Sequence, residues 1–282
     1  IPQSVKWELM AKEKILEIYE KLTQLAALEQ SDLIIWPEAA FPGYFNRDLQ
    51  AERISRLAAE IQTPLLVGGL EWESEKESYN SAYFLKKDGA SGQRYDKLRL
   101  VPFGEYIPLK FIFGGLTPVA DALGISDFNA GTEAVVFRWS RVEWPFGVLI
   151  CFEDVFSDLA RDLADRDAKF LVVITNDAWF GKTGAPFQHL QASIFRAVEN
   201  GVAVVRSANT GVSGFISHRG RVLATVKDGG GEETFVMGQK TLDLPLVAER
   251  TLYRRGGFLF PYFATACFLI LGVFMSRRNR NA

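Results

Sequence analysis

Short apolar runs that stop at polar residues alternate in this chain with segments of helical periodicity. Three of these runs are Asp32–Trp36, Phe146–Ile150 and Phe170–Thr175. Unbroken apolar runs of this length indicate strands buried on both faces, and amphipathic helices such as those predicted at 8–29 and 186–200 cover strands of that kind. The pattern therefore predicts an α/β fold in which helices cover the sheets.

The composition narrows the class of protein further. Hydrophobic residues make up 48% of the 282 residues and charged residues 23%, so the chain can bury a large core and is not a disordered protein. The 32 basic and 34 acidic residues nearly balance, which argues against a nucleic-acid-binding protein. Two cysteines and two histidines are too few for a disulfide framework, a four-cysteine zinc site or a histidine-rich metal cluster. We therefore expect neither a metal nor a cofactor.

The composition changes once, near the C-terminus. Gly256–Ser276 contains no charged residue, and as a helix it spans roughly 30 Å, which is the thickness of a bilayer core. The sequence predicts a linker at 249–256, a transmembrane helix at 257–276 and a basic tail at 277–282. A buried C-terminal helix of a soluble domain is the alternative. Because basic residues flank both ends, the charge pattern does not orient the segment.

Polar residues follow the three apolar runs, at the point where each predicted strand ends. Pro37–Glu38 follows the first run, Cys151–Asp154 the second and Asn176–Asp177 the third. Active residues of α/β folds gather where strands end and loops begin, so these residues form a candidate site. Taken alone, each has a plainer interpretation, because a cysteine after an apolar strand is commonly an inert core residue. A glutamate after Trp-Pro is commonly a solvated turn residue.

A fourth segment, Tyr95–Glu105, adds a lysine to the candidate site. Residue by residue it reads as a solvated basic loop. Together with the glutamate and the cysteine at the strand ends, this lysine could form a catalytic site. The cysteine needs such partners because a free thiol has a pKa of about 8.5 and is mostly protonated at neutral pH. A buried glutamate can act as the base, and a lysine can stabilise both the thiolate and an oxyanion. A cysteine–histidine pair is also possible, although no local signature supports it.

The order Glu38, Lys97, Cys151 resembles the nitrilase superfamily of carbon–nitrogen hydrolases, which uses a Glu–Lys–Cys triad. The resemblance is closest to the apolipoprotein N-acyltransferase branch. It rests on segments spread over nearly the whole chain, namely Ile1–Trp7, Ile34–Glu38, Leu100–Pro108, Ile150–Glu153, Thr175–Gly181, Gln188–His189, Arg206–Gly211 and Thr251–Gly256. It implies a nitrilase-like αββα sandwich over 1–248 with its first strand truncated. It also implies a preceding multi-helix membrane domain that this sequence does not include, so we expect the chain to be part of a longer protein.

The resemblance also implies a reaction. An acyl chain passes from a phospholipid, phosphatidylethanolamine, to Cys151 as a thioester, and then to the α-amine of the diacylglyceryl-cysteine of a bacterial lipoprotein, in ping-pong order. Glu38 is the implied general base and Lys97 the implied oxyanion donor. The implied location is the bacterial inner membrane, with the catalytic domain facing the periplasm. The alternatives are a soluble-type amidase or nitrilase with the same triad, and a non-catalytic scaffold, which the intact triad argues against.

Further residues take implied supporting or substrate-binding roles. Glu105 and Glu153 match acidic positions that orient the lysine and the substrate amine, and Trp7 matches an aromatic residue near a lipid entrance, although a packing role at a helix start fits it nearly as well. Asn176 and Trp179 lie in a matching segment and join the predicted site. Phe152 departs from the family pattern, which has tyrosine after the nucleophile. The apolar, glycine-bearing segment 111–116 is predicted to be a lid that touches the membrane, with the edge of a core strand as the alternative.

Overall fold

The computed structural model describes residues 9–75, 77–108, 127–139, 142–247 and 249–280. Trp7 and the predicted lid at 111–116 lie outside the described residues. Two sheets with helices on their outer faces account for most of the described chain. The helices are α1 (Leu9–Leu28), α2 (Gln50–Ile61), α3 (Ser157–Asp165), α4 (Ala185–Asn200) and α5 (Phe260–Arg280).

The first sheet has four strands, which follow one another in space as they do in the chain. Their bounds are Ile34–Ile35 for β1, Leu65–Ser74 for β2, Glu77–Leu85 for β3 and Ser91–Asp96 for β4. β1 runs parallel to β2, with Ile34 opposite Leu65, and the other neighbours are antiparallel. Lys97 directly follows β4, and Glu38 follows β1 by three residues, so this sheet carries two of the predicted site residues.

The second sheet has six strands in the order β10-β9-β8-β7-β6-β5. Their bounds are Val136–Trp139 for β5, Val142–Ile150 for β6, Phe170–Asn176 for β7, Ala203–Asn209 for β8, Gly214–Ile216 for β9 and Val222–Thr225 for β10. β6, β7 and β8 are parallel, with Ile150 opposite Ile174 and Asn176 opposite Asn209. Their carboxyl ends therefore meet at one edge of the sheet, where Cys151 and Asn176 were predicted to come together.

Three apolar cores hold these layers together. One lies between α1, α2 and the first sheet, where Ile54, Leu57 and Ala58 of α2 are buried at helical spacing. Another lies between the second sheet and helices α3 and α4. The third lies between the sheets, where the ring centroids of Phe137 and Phe146 are 5.1 Å apart and those of Phe146 and Phe170 are 5.3 Å apart. The order helix, sheet, sheet, helix confirms the predicted αββα sandwich.

The C-terminal segment contacts α3 and α4 before it enters α5. Arg254 donates to the Asp165 carboxylate and to the Ala164 carbonyl oxygen, both at 2.8 Å, and the Thr251 hydroxyl donates to the Glu199 carbonyl oxygen. The guanidinium of Arg161 lies 3.8 Å from the ring centroid of Phe258. The predicted linker at 249–256 is therefore held against the sandwich. These contacts fix the point from which α5 departs.

Helix α5 carries exposed apolar side chains, among them Phe260, Tyr262, Phe263, Phe268, Leu269, Ile270, Leu271 and Met275. Within the described residues, we find no helix that is both long enough and apolar enough to cross a membrane. The transmembrane role predicted for 257–276 stays a prediction.

Candidate active site

The backbone brings Glu38 close to the first sheet through two local features. Gly68 of β2 lies directly under this turn, where a Cβ atom would come within 2.2 Å of the Pro37 carbonyl oxygen. Ala39 has a positive φ of 45°, which turns the chain sharply after Glu38. Glu38 is 6% exposed, so it is buried at the sheet edge rather than solvated in a turn.

Lys97 lies beside Glu38, inside the protein. Its side chain is 1% exposed, its Nζ donates to Glu105 Oε1 at 2.9 Å, and it stands 3.6 Å from Glu38 Oε1. Burial by itself lowers the pKa of Lys97, but the charges of Glu38, Cys151 and Glu105 outweigh burial and raise the pKa above its ordinary value. The interpretation of this segment as a solvated loop is therefore wrong for Lys97, which is a buried, charged ammonium group.

A residue that sequence analysis missed ties the two carboxylates together. Asn80 of β3 donates from Nδ2 to Glu38 Oε1 at 2.7 Å and to Glu105 Oε1 at 3.0 Å. Glu105 also accepts from the Val101 amide at 2.8 Å. With these contacts Glu105 holds Lys97 in place, and the supporting role implied for Glu105 in the reaction stays a prediction. An asparagine inside a strand carries no sequence signal for such a contact.

Cys151 lies where β6 passes into a 3₁₀ turn, Cys151–Val155. Its φ is +54°, an unfavourable conformation for a residue with a side chain. Burial raises the pKa of the Cys151 thiol to about 12, and the Glu38 charge adds to this effect while Lys97 opposes it. The thiol therefore holds its proton at neutral pH and needs a base to become a nucleophile. Glu38 is the carboxylate whose charge acts most strongly on it.

Glu153 fastens the lysine segment to the cysteine strand. It is fully buried, and its carboxylate accepts from the Tyr95 hydroxyl at 2.8 Å and from the amides of Leu98 at 2.6 Å, Arg99 at 3.0 Å and Ile150 at 2.7 Å. The backbone on both sides of the site is therefore held by one side chain. These four donors occupy both carboxylate oxygens, so the geometry gives Glu153 a positioning role inside the protein.

Among the described residues, Asn176, Trp179 and Phe152 lie at or just after the ends of β6 and β7. Asn176 Oδ1 accepts from Asn209 Nδ2 at 2.9 Å, which joins the ends of β7 and β8. Trp179 is 65% exposed in the 3₁₀ turn Asp177–Phe180. Phe152, next to the cysteine, is exposed and packs edge-on against Phe156. We use the name apolar rim for the exposed aromatic side chains on these two turns, on the Lys97–Glu105 segment and at the start of α4, namely Phe103, Phe152, Trp179, Phe180 and Phe187.

Behind the cysteine turn lies a buried charge cluster that sequence analysis missed. His189 of α4 contacts Asp177 Oδ1 through Nδ1 at 2.8 Å and Asp154 Oδ1 through Nε2 at 3.0 Å. Arg206 donates to the same two carboxylates, at 3.0 Å to Asp154 and 3.2 Å to Asp177. Gly211 leaves room for the cluster, because a Cβ atom there would lie 2.0 Å from Asp177 Oδ2. Two positive and two negative groups thus support the turn that carries Cys151.

This cluster makes the free energy of unfolding depend on pH. Burial by itself lowers the pKa of His189, but the hydrogen bonds to Asp154 and Asp177 outweigh it and raise the pKa from 6.5 to about 9. A raised folded-state pKa means that the stabilisation is fully present below about pH 6.5 and is lost as the pH rises through about 9. We expect a loss on the order of 3 kcal/mol over that range.

Urea unfolding at a series of pH values measures this effect. The variant His189→Gln, which has no titrating ring, should show a much shallower pH dependence than the wild-type chain. A wild-type free energy of unfolding that stays flat through about pH 9 would contradict the protonated histidine.

Comparison with known proteins gives relatives that match most of the chain. The carbon-nitrogen hydrolase family profile matches residues 2–250. The apolipoprotein N-acyltransferase of Geobacter metallireducens is 41% identical over 79% of this chain and 43% of its own length. That of Haemophilus influenzae is 33% identical over 100% of this chain and 54% of its own length. The chain thus spans about half the length of the curated relatives it matches.

Solved structures share the fold at lower sequence identity. The amidase of Nesterenkonia sp. AN1, determined with acrylamide added to its active-site cysteine, is 19% identical with a TM-score of 0.59, over 76% of this chain and 83% of that one. A carbon–nitrogen hydrolase from Helicobacter pylori G27 is 17% identical with a TM-score of 0.60, over 76% of this chain and 80% of that one. At this identity the likeness supports the fold alone.

Proposed function

The chain belongs to the carbon–nitrogen hydrolase family, and from that premise we propose that it transfers an acyl chain from a phospholipid to the α-amine of the diacylglyceryl-cysteine of bacterial lipoproteins. The observation that carries the proposal is the buried ammonium of Lys97, held 3.6 Å from Glu38 and 2.9 Å from Glu105 beside a protonated thiol. A base, a cation and a nucleophile are the groups that acyl transfer through a thioester requires.

The first half-reaction acylates the cysteine. Glu38 takes the thiol proton from Cys151, and the sulphur attacks the ester carbonyl of the phospholipid. Lys97 donates to the oxyanion of the tetrahedral intermediate. When the C–O bond breaks, Glu38 returns its proton to the departing oxygen, so that a lysophospholipid leaves and the acyl group stays on sulphur.

The second half-reaction releases the acyl group to the amine. The lipoprotein α-amine attacks the thioester carbonyl while Glu38 accepts one of its protons. The C–S bond then breaks, the amide forms, and the proton on Glu38 goes back to the Cys151 sulphur. Because the lysophospholipid leaves before the amine reacts, the kinetics are ping-pong.

The surroundings of the site favour a lipid substrate over a small amide. The apolar rim consists of exposed aromatic side chains on the segments that carry Lys97 and Cys151 and on the neighbouring turn and helix, and a substrate with acyl chains could contact them there. The relatives named apolipoprotein N-acyltransferase reach 41% identity, whereas the amidase reaches 19%. We assign Trp179 and Phe152 to the acyl-binding part of this rim and Trp7 to its approach.

We further propose that α5 anchors the domain in the bacterial inner membrane, with the sandwich facing the periplasm and phosphatidylethanolamine as the donor. Support comes from its exposed apolar side chains and from the 21 uncharged residues between Gly256 and Ser276. Both substrates reside in a bilayer, so a shared membrane raises their effective concentration at the site.

Mass spectrometry of the protein after incubation with phosphatidylethanolamine vesicles tests the proposal. We expect a mass increase of one acyl chain on the peptide that contains Cys151, and loss of that adduct when a diacylglyceryl-cysteine peptide is added. A protein that forms no acyl adduct from the vesicles but hydrolyses short-chain amides would be the amidase instead.

Deletion of residues 257–282 separates chemistry from membrane delivery. We expect the truncated chain to keep its site, so that a soluble short-chain thioester still acylates Cys151 at the rate of the full chain. Acyl transfer from vesicles should fall by orders of magnitude, because the effective concentration of bilayer lipid at the site is lost. The two rates are measured side by side in both chains. Equal vesicle activity without the segment would mean that α5 is only a structural cap.

A further inference from the structure

Thr175 lies between the cysteine and the buried charge cluster. β6 and β7 pair with Ile150 opposite Ile174, so the residues that follow, Cys151 and Thr175, are neighbours at the ends of adjacent parallel strands. The Thr175 side chain is fully buried, and its hydroxyl donates to Asp177 Oδ1 at 3.0 Å. The strand register puts this hydroxyl beside Cys151, and a hydrogen bond from Thr175 acts to lower the pKa of the thiol, against the larger effect of burial.

A hydroxyl group has one proton and can donate it to one acceptor at a time. While Cys151 holds its proton, the carboxylate of Asp177 is the better acceptor. Once the thiol ionises, the sulphur becomes a charged acceptor at the same hydroxyl, and hydrogen bonds to charged groups are the strong ones. The two acceptors therefore compete, and the charge on the sulphur decides between them.

Asp177 can give up this hydrogen bond without being left unpaired. Its Oδ1 keeps the contact with His189 Nδ1 at 2.8 Å, and its Oδ2 keeps the contact with Arg206 at 3.2 Å. The side chains of both partners are buried, so water screens their attraction to the carboxylate less than it would at the surface. His189 and Arg206 thus keep both carboxylate oxygens of Asp177 in hydrogen bonds when the Thr175 hydroxyl turns away.

We propose that Thr175 is a catalytic residue of this site: its hydroxyl proton turns from Asp177 to the sulphur when the Cys151 thiol ionises, and stabilises the thiolate. The thiol proton goes to Glu38, and the O–H bond of Thr175 stays intact throughout. The same donor stabilises the thiolate that is released when the acyl group leaves. The proposal rests on the proposed function only in taking Cys151 as the nucleophile.

The other groups that act on the sulphur do not stabilise the thiolate fully by themselves. Glu38 and Asp177 carry negative charges and disfavour the thiolate, whereas Lys97 and Thr175 favour it. Lys97 is already bound to Glu105 and lies close to Glu38, so these two carboxylates offset much of the positive charge that it presents to the sulphur. Thr175 is the neutral member of this set, and its proton can be directed entirely to the sulphur.

Alkylation of Cys151 by iodoacetamide at about pH 8 tests the proposal, because the thiolate is the reactive form. The rate is read from the peptide that contains Cys151. Thr175→Val keeps the branched shape but has no hydroxyl, and its rate should be about tenfold to a hundredfold lower. Thr175→Ser keeps the hydroxyl and should restore most of the rate. Thr225→Val, on β10 of the same sheet, removes a hydroxyl that donates to Glu233 and should leave the rate unchanged.

Two outcomes would overturn the role of Thr175. One is a Thr175→Val variant that is folded by circular dichroism and is alkylated at the wild-type rate. The other is a Thr175→Ser variant as slow as the valine variant. Alkylation needs no lipid, so this result is independent of the acyl donor and acceptor. Failure of the proposed function would show separately, as normal alkylation of the wild-type protein without an acyl adduct from vesicles.

Discussion

Replacement of Cys151 by alanine is expected to abolish both the acyl adduct and acyl transfer, with a fall in rate of about 10⁵-fold or more. The reason is that the proposed reaction forms its thioester on this sulphur, and without the sulphur the neighbouring base and cation have no nucleophile to activate. Thermal unfolding should change little, because alanine fits the same turn. Single-turnover transfer from labelled phospholipid measures the rate.

Cys267→Ala is the matched control, since the two cysteines are both free and both partly buried. Cys267 lies on α5 among exposed apolar side chains, away from the strand ends. We expect its replacement to leave the adduct and the transfer rate unchanged. Retained turnover in Cys151→Ala, or loss of the adduct in Cys267→Ala, would place the nucleophile elsewhere.

Lys97→Met is expected to slow acylation by roughly a hundredfold or more, corresponding to the loss of about 3 kcal/mol that removal of one oxyanion donor causes. Methionine keeps the apolar stem but removes the ammonium that lies between Glu38 and Glu105. The rate of adduct formation under single-turnover conditions measures the effect. Lys227→Met, at an exposed lysine paired with Glu233, is the control and should be silent.

Lys97→Arg separates charge from position. The guanidinium is larger and presents its donors as a planar fork, so it does not fit the place of a buried ammonium held 2.9 Å from Glu105. We expect this variant to be slow as well. An arginine variant with wild-type rate would show that the site needs a positive charge but not a positioned ammonium group.

The ends of the apolar runs could be located from the sequence. Cys151 and Asn176 lie at the ends of β6 and β7, which are parallel neighbours in one sheet and so end at the same edge. Glu38 follows β1 of the other sheet, and how the two sheets pack together could not be read from the apolar runs. The helices at 8–29 and 186–200 were found at Leu9–Leu28 and Ala185–Asn200, because their apolar spacing reports the face that packs on a sheet.

Other elements carry weaker signals and were not predicted. β4 (Ser91–Asp96) is polar and largely exposed, so it lacks the apolar run that marks a buried strand. α3 (Ser157–Asp165) has only 9 residues and buries a narrow stripe. Both lie within hydrophilic stretches, where local preference alone does not separate a helix or strand from a loop.

The burial of Lys97 and the charge cluster around Asp154 could not be predicted, for a common reason. Each buried charge is stabilised by partners that are far away in the chain, such as Glu38 for Lys97 and Arg206 for Asp154. From the sequence alone a charged residue is predicted to be exposed to solvent, because charged residues are rarely buried without a partner. Only the register of the strands places His189 between two aspartates that lie on different turns.

The contacts of Arg254 hold the segment that precedes α5 against the sandwich. Arg254 donates to the Asp165 carboxylate and the Ala164 carbonyl oxygen, and the Glu249 amide donates to the Gly201 carbonyl oxygen. The segment 249–256 is therefore bound to the sandwich at both of these residues. The turn into the helix comes at Gly256, whose φ of 136° is open to glycine alone. If α5 binds the membrane as proposed, these contacts limit how far Cys151 can move from the membrane surface. The lipid substrates would then have to move out of the bilayer toward the cysteine, because the segment that joins α5 to the sandwich is bound to α3 and α4.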